Sequence, residues 1–260
     1  MLRKLMKYEL MATGRVFLPL FAALLIISLV NSLLSTLPVH APQVIGIIVS
    51  VILIIGIAVL TLILTIQRFW NNLLSSEGYL MMTLPVKADS LILSKLFTAA
   101  IWNIASAIVV TLSILIMSIT AVSLTDIVGF IRAFFERISL PNIHFVVYVI
   151  EVLAAVALST FTGILLLYAC MSLSMLVNKR RGLVAFGAYI AITTVGQMLF
   201  VLFISIIIAL GRVEVFSISH QSTFRQIQFV TLSTIAIEII ICAVFYFATR
   251  YMLKRRLNLQ

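Results

Sequence analysis

Apolar positions along the chain gather into six long runs, at residues 16–37, 44–66, 96–122, 143–177, 183–210 and 229–248. A helix needs about 20 apolar residues to cross a bilayer, and each run supplies them. The pattern predicts an all-α, polytopic membrane protein with six transmembrane helices, the whole chain forming one membrane domain. The fourth run is longer than a crossing requires. It predicts a tilted helix, or one that begins outside the hydrocarbon.

Between the second and third runs lies the longest strongly polar stretch, residues 67–95, which reads QRFWNNLLSSEGYLMMTLPVKADSLILSK. It has internal order. Ser75, Ser76 and Gly78 make a break, residues 79–84 form a short apolar segment, and Pro85 ends it. Asp89 stands where a carboxylate caps the first turn of the next helix. This predicts a short helix at the membrane surface, resting on lipid or docked on another protein. Residues 1–14 predict a second one. Leu2, Leu5, Met6 and Leu10 recur at helical spacing, with Arg3, Lys4 and Lys7 mostly off that stripe. A helix lying in the interface, its cations toward anionic headgroups, has this pattern. On the opposite side of the membrane, Ile127, Val128, Ile131, Phe134, Phe135 and Ile138 predict an outer interfacial helix.

Composition agrees. The 260 residues are 63% hydrophobic and 10% charged, with a mean hydropathy of +1.25. A soluble domain carries about 25% charged residues, so a soluble fold is excluded. The basic start followed by an apolar run has the look of a signal peptide. A signal core is only about 7–15 residues, so the first run reads as an uncleaved span.

The formal charge of +10 would suggest nucleic acid in a soluble protein. Here topology accounts for it. Arg3, Lys4, Lys7, Arg15, Arg68, Lys87 and Lys95 fall on one side of a six-span chain, joined by Lys179, Arg180, Arg181, Arg250, Lys254, Arg255 and Arg256. Only Arg132, Arg137, Arg212 and Arg225 fall on the other. By the positive-inside rule, both termini and the 67–95 loop are cytoplasmic, and no nucleic-acid partner is called for. Cys170 and Cys242 are too few for a disulfide framework or a metal site. His40, His144 and His220 are too scattered for one.

Two acids interrupt the spans. Glu238 is near the middle of the sixth and Glu151 is in the outer part of the fourth. A charge at mid-bilayer costs about 2.5–3.5 kcal/mol on insertion scales, so both are expected to face protein. Glu151, Ala155, Ser159 and Gly163 form a small-residue stripe, and Thr231, Thr234, Glu238 and Cys242 a polar one. Asn103, Ala107 and Thr111, and Gly187 with Ala191, add further packing faces. Glu238 and Glu151 are candidates for a translocation path, or simply hydrogen-bonded packing residues. No P-loop, H-E-x-x-H, G-x-S-x-G or membrane-embedded aspartate pair occurs, so the chain is not expected to be an enzyme and no catalytic residue is assigned.

The loop carries a more specific signal. The run Glu77-Gly78-Tyr79-Leu80-Met81-Met82-Thr83-Leu84-Pro85-Val86, followed by Ser90-Leu91-Ile92-Leu93-Ser94-Lys95, resembles the cytoplasmic loop of ABC-2 type transporter permeases. It is most similar to the small permease subunits of Gram-positive bacteria, where an Arg-Phe-aromatic-Asn-Leu run precedes it, as Arg68-Phe69-Trp70-Asn71-Asn72-Leu73 does here. Many members have Gly-Thr where this chain has Gly78-Tyr79. The motif spans about Arg68 to Lys95, while the six-span architecture covers the whole chain.

The resemblance implies that the loop forms a coupling helix docking on an ABC ATPase subunit through Glu77, Gly78, Tyr79, Leu80, Leu84 and Pro85. ATP and magnesium would then sit on that partner, with no cofactor in this chain. It also implies a second permease subunit, identical or sister, in a bacterial plasma membrane, and peptide, antibiotic or lipid-like cargo. An ion-gradient-driven secondary transporter using Glu238 and Glu151, or a non-transporting membrane partner such as an immunity subunit, remains open at this point.

Overall fold

Long apolar runs satisfy their backbone groups internally only as helices, and the chain does so six times. In a computed structural model, described over residues 2–35, 40–71, 88–118, 129, 132, 143–177, 180–209 and 220–256, six helices follow one another. They are α1 (Leu2–Leu34), α2 (His40–Phe69), α3 (Ala88–Ser118), α4 (Ile143–Ser174), α5 (Arg181–Ala209) and α6 (His220–Arg256). All six are long and apolar enough to cross a membrane, and no strand occurs among the described residues. The protein is thus a multi-pass, all-helical membrane protein. Two compact units divide it, α1–α3 in one and nearly all of α4 with α5 and α6 in the other.

The first unit is built on one face of α1. Leu5 and Met6 begin a stripe that runs on through Glu9, Thr13, Phe17, Phe21, Leu24, Ser28 and Asn31, at intervals of three or four residues. From Thr13 onward these side chains are buried. The spacing is that of a single straight face, so the helix does not break at Gly14. The expected separate interfacial helix at 1–14 is therefore the opening turns of α1. At a 1.5 Å rise, the 33 residues of α1 reach about 50 Å, well beyond a 30 Å hydrocarbon core. Pro19 lies inside this helix, where it removes one amide donor from the ladder.

Contacts fix the order of helices around α1. Glu9 meets Lys95, Phe17 stacks on Trp102, and Ser28 meets Ser113, so α1 and α3 run parallel in nearly constant register. The Phe17 and Trp102 rings lie 4.6 Å apart at 14°, with Phe21 tilted against both. The helix between them runs the other way. Arg68 near its end meets Glu9, while Gly46 near its start packs on Asn31. Phe17, Phe21, Leu24 and Ile57 form the buried core of this unit. Every Lys and Arg of α1–α3 thus lies toward one end of the three-helix bundle.

Polar side chains inside the bundle are small and mostly self-satisfied. Ser28 donates to the Leu24 carbonyl at 2.8 Å. Its one proton is then committed, so Ser113 must be the donor in the 2.8 Å bond between the two hydroxyls. Thr61 and Ser106 each donate to their own helix at 2.7 Å, which leaves their 3.3 Å approach as a weak contact.

In the second unit, Glu151 lies beside Gln228 and Thr162 beside Cys242. The rising pairs make α4 and α6 parallel neighbours. The last turns of α4 are the most buried part, at Leu165, Tyr168 and Cys170. Arg180, in the left-handed region at φ 57°, leads into α5, and its carbonyl accepts from the Val184 amide.

Helix boundaries depart from the apolar runs in one consistent way. Both α2 and α3 extend into the 67–95 stretch, α2 through its charged end at Arg68 and α3 from Ala88. Asp89 is accordingly within the first turn of α3 rather than ahead of it, still next to the free amides of a helix start. Several expected packing faces are not covered. An added Cβ at Gly163 or Gly187 would meet nothing within 4 Å, and Ser159, Ala107, Thr111 and Ala191 are exposed. Among the described residues, these positions meet no other helix, while Glu151 on the first of the stripes meets Gln228 of α6.

Candidate functional site

The stretch that carries the motif connects α2 to α3 in sequence. Its proposed contact residues Glu77, Gly78, Tyr79, Leu80, Leu84 and Pro85 lie outside the described residues, as does most of the outer segment around Ile127–Ile138. What the structure does describe is the pair of helix ends on either side of the loop.

These ends converge on α1. The α1 stripe carries Glu9 to the same level as the last turn of α2 and the second turn of α3. Arg68 Nη1 donates to Glu9 Oε2 at 3.1 Å, and Lys95 Nζ donates to Glu9 Oε1. Exposure of the three side chains is unequal: 3% for Lys95, 12% for Glu9 and 31% for Arg68. Burial makes the difference decisive. Arg68 can trade its carboxylate for water, so its half of the cluster resembles a surface ion pair, worth about 0–1 kcal/mol. Lys95 has no such exchange, and breaking a buried pair by removing one member costs about 3–5 kcal/mol. Losing one partner is therefore costlier at the α1–α3 contact than at the α1–α2 contact, because it strands a buried charge.

Thr13, one turn further along α1, is buried and donates to the Glu9 carbonyl at 2.7 Å. Gly14 follows it under the Trp102 indole, where an added Cβ would sit 3.4 Å from the ring. Above the charges, the bundle is thus closed by a hydroxyl, a glycine and the Phe17–Trp102 stack. In sequence, Arg68 and Lys95 have a place in the topology count and in the ABC-2-like motif, and there Glu9 is passed over. A signal was present: Glu9 stands three residues after Met6 and four after Leu5, on the apolar stripe itself. An acid there has to meet cations of the protein rather than water.

Glu151 and Glu238, the two acids in the spans, occupy a different setting. Gln228 Nε2 donates to Glu151 Oε1 at 3.2 Å. Glu151 Oε2 and Glu238 Oε2 are both shielded from solvent with no hydrogen-bond partner among the described residues, and so is the hydroxyl of Thr162. Cys242, one turn beyond Glu238 on α6, lies beside Thr162. Polar groups thus mark the facing sides of α4 and α6 at two levels, with acceptor capacity left over at both. No described cation lies against either acid.

The arrangement can hold the root of a loop firmly against one helix, and it offers unfilled carboxylate oxygens along a helix pair. Neither constellation is that of a hydrolytic or metal centre. The chain matches no family model, no curated protein and no solved structure.

Proposed function

We propose that this chain is the membrane-spanning permease subunit of an ABC transporter, exporting peptide, antibiotic or lipid-like cargo. A separate ATPase subunit binds ATP and magnesium, closes, and pushes on the 67–95 loop. A second permease subunit, identical or sister, completes the pathway in a bacterial plasma membrane, with both termini and the loop in the cytoplasm. The observation that carries the reading is the placement of the loop's two roots. Arg68 and Lys95, at the limits of the stretch that resembles ABC-2 permeases, both reach Glu9 of α1. A loop rooted in this way has a mechanical route into the membrane helices.

The test is co-purification with the candidate ATPase, wild type against Glu77→Arg/Leu84→Asp, followed by ATP hydrolysis in lipid discs. Pairing in the wild type and its loss in a folded double variant is the expected result. A wild type that binds no ATPase would sink the proposal.

One observation favours a second reading, a secondary transporter driven by an ion gradient. The unpaired carboxylate oxygens of Glu151 and Glu238 are acceptors of the kind a proton or cation would use. That reading expects transport without ATP and its loss in Glu238→Gln at normal expression.

A further inference from the structure

Among the polar contacts of the first unit, most join two helices at a time. Ser28 meets Ser113 and Thr61 approaches Ser106. Glu9 binds the ends of two other helices at once. Those ends flank residues 72–87 in sequence.

Apolar packing does this work less strictly in a membrane. Lipid tails are as apolar as leucine, so a helix face that slides gives up packing contacts but no hydrophobic burial. A buried ion pair cannot slide. A shift of α3 by one helical turn, about 5.4 Å, would carry Lys95 away from Glu9 and leave both charges without a partner. With Lys95 almost wholly buried, water is not there to replace the carboxylate. The pair therefore fixes the longitudinal register of α1 against α3, and Arg68 adds α2 to the same point.

We propose that Glu9 is a positioning residue, a clasp that holds both roots of the α2–α3 connection to α1. Force applied to that connection then displaces α1, α2 and α3 together rather than the two helices it is covalently joined to. The source of the force, an ATPase pressing on the loop, rests on the permease reading above. The clasp itself does not. It makes α1 the third arm of the moving element, although α1 is not part of the loop.

The experiment uses the full chain in lipid discs, alone and with the candidate ATPase. It compares wild type, Glu9→Gln and the charge exchange Glu9→Lys/Lys95→Glu. Three quantities are read: ATPase pairing, the permease-dependent rise in ATP hydrolysis, and amide hydrogen exchange at the three helix ends. Glu9→Gln is expected to pair normally yet lose about tenfold of the rise in hydrolysis. Its amide exchange is expected to quicken about tenfold at the start of α1, the end of α2 and the start of α3 alike, and not around Ser28 and Ser113. The charge exchange rebuilds only the α1–α3 pair and sets a Lys against Arg68. It is therefore expected to restore slow exchange at the starts of α1 and α3 but not at the end of α2, a split that no simple loss of packing would give.

Wild-type hydrolysis and exchange in Glu9→Gln would overturn the clasp, as would a folded charge-exchange variant whose α1 and α3 starts stay as loose as in Glu9→Gln. If Glu9→Gln does not accumulate, Glu9→Gln/Lys95→Met takes its place, since it leaves no buried charge unpaired. Loosened helix ends in that variant support the clasp, and wild-type ends overturn it. A wild type that pairs with no ATPase defeats the permease reading, and amide exchange alone then decides the clasp.

Discussion

Replacing Gly46 by alanine is a sharp test of how α1 and α2 meet. The new Cβ would stand 2.5 Å from Asn31 Oδ1, 2.9 Å from its Cγ and 3.4 Å from its Cβ. Swinging the amide aside relieves only the first two contacts, and Asn31, at 4% exposure, has little room to swing. Overpacking of this kind costs about 1–3 kcal/mol. Alanine returns about 1 kcal/mol through its higher helix propensity, so the net loss is about 0–2 kcal/mol. Gly56 provides the control on the same helix. An alanine there meets nothing within 4 Å, so only the propensity term acts and the change is neutral or stabilising by up to about 1 kcal/mol. Reversible unfolding in mixed micelles measures both. Adding Asn31→Ala to Gly46→Ala removes the obstacle, so the two substitutions are expected to couple favourably in a double-mutant cycle. Equal stability of the Gly46→Ala and Gly56→Ala variants would refute the close approach, and with it the antiparallel register of α2.

Phe17→Ala removes the ring stacked on Trp102. Its cost is expected at about 2–3 kcal/mol, below the 3–5 of a soluble core because lipid solvates a phenyl ring as well as protein does. Unfolding measures the loss, and near-UV circular dichroism should lose the signal of the coupled rings. Ser28→Ala and Ser113→Ala are expected to interact by only about 0.6 kcal/mol in a double-mutant cycle, since the Ser113 hydroxyl can turn back to its own helix. A coupling above about 2 kcal/mol would mean that this bond, and not ring packing, holds α1 to α3.

The six helices were legible because nothing but a helix satisfies twenty consecutive apolar residues in lipid. Their ends were less so. Hydropathy stops at the first charges, whereas the backbone ladder does not, so α2 continues past Gln67 to Phe69 and α3 begins seven residues before Lys95. The same rule hid Glu9. Counting Lys and Arg for topology treats each cation as a label, with no reference to what it touches, and an acid among basic residues then reads as neutral background. Its place on the stripe of Leu5 and Met6 was visible, but its partners lie 59 and 86 residues away, beyond any local pattern. Small residues permit close approach without requiring it, so Gly163 and Gly187 satisfy the spacing with no described neighbour within 4 Å of an added Cβ, while Gly14 and Gly46, in no such stripe, are pressed by Trp102 and Asn31 of neighbouring helices.

The 86 residues between Glu9 and Lys95 also bear on how the protein is made. Chains emerge amino end first, so α1 reaches the bilayer long before its cation exists. Its serine and threonine hydroxyls can wait in lipid, bonded to their own backbone, but a carboxylate cannot. Glu9 has to stay with water and headgroups until α3 is delivered. The Glu9–Lys95 contact thus forms only after α2 has brought Arg68 to Glu9 and α3 has followed, so the charge cluster closes in the order of the chain, weaker half first.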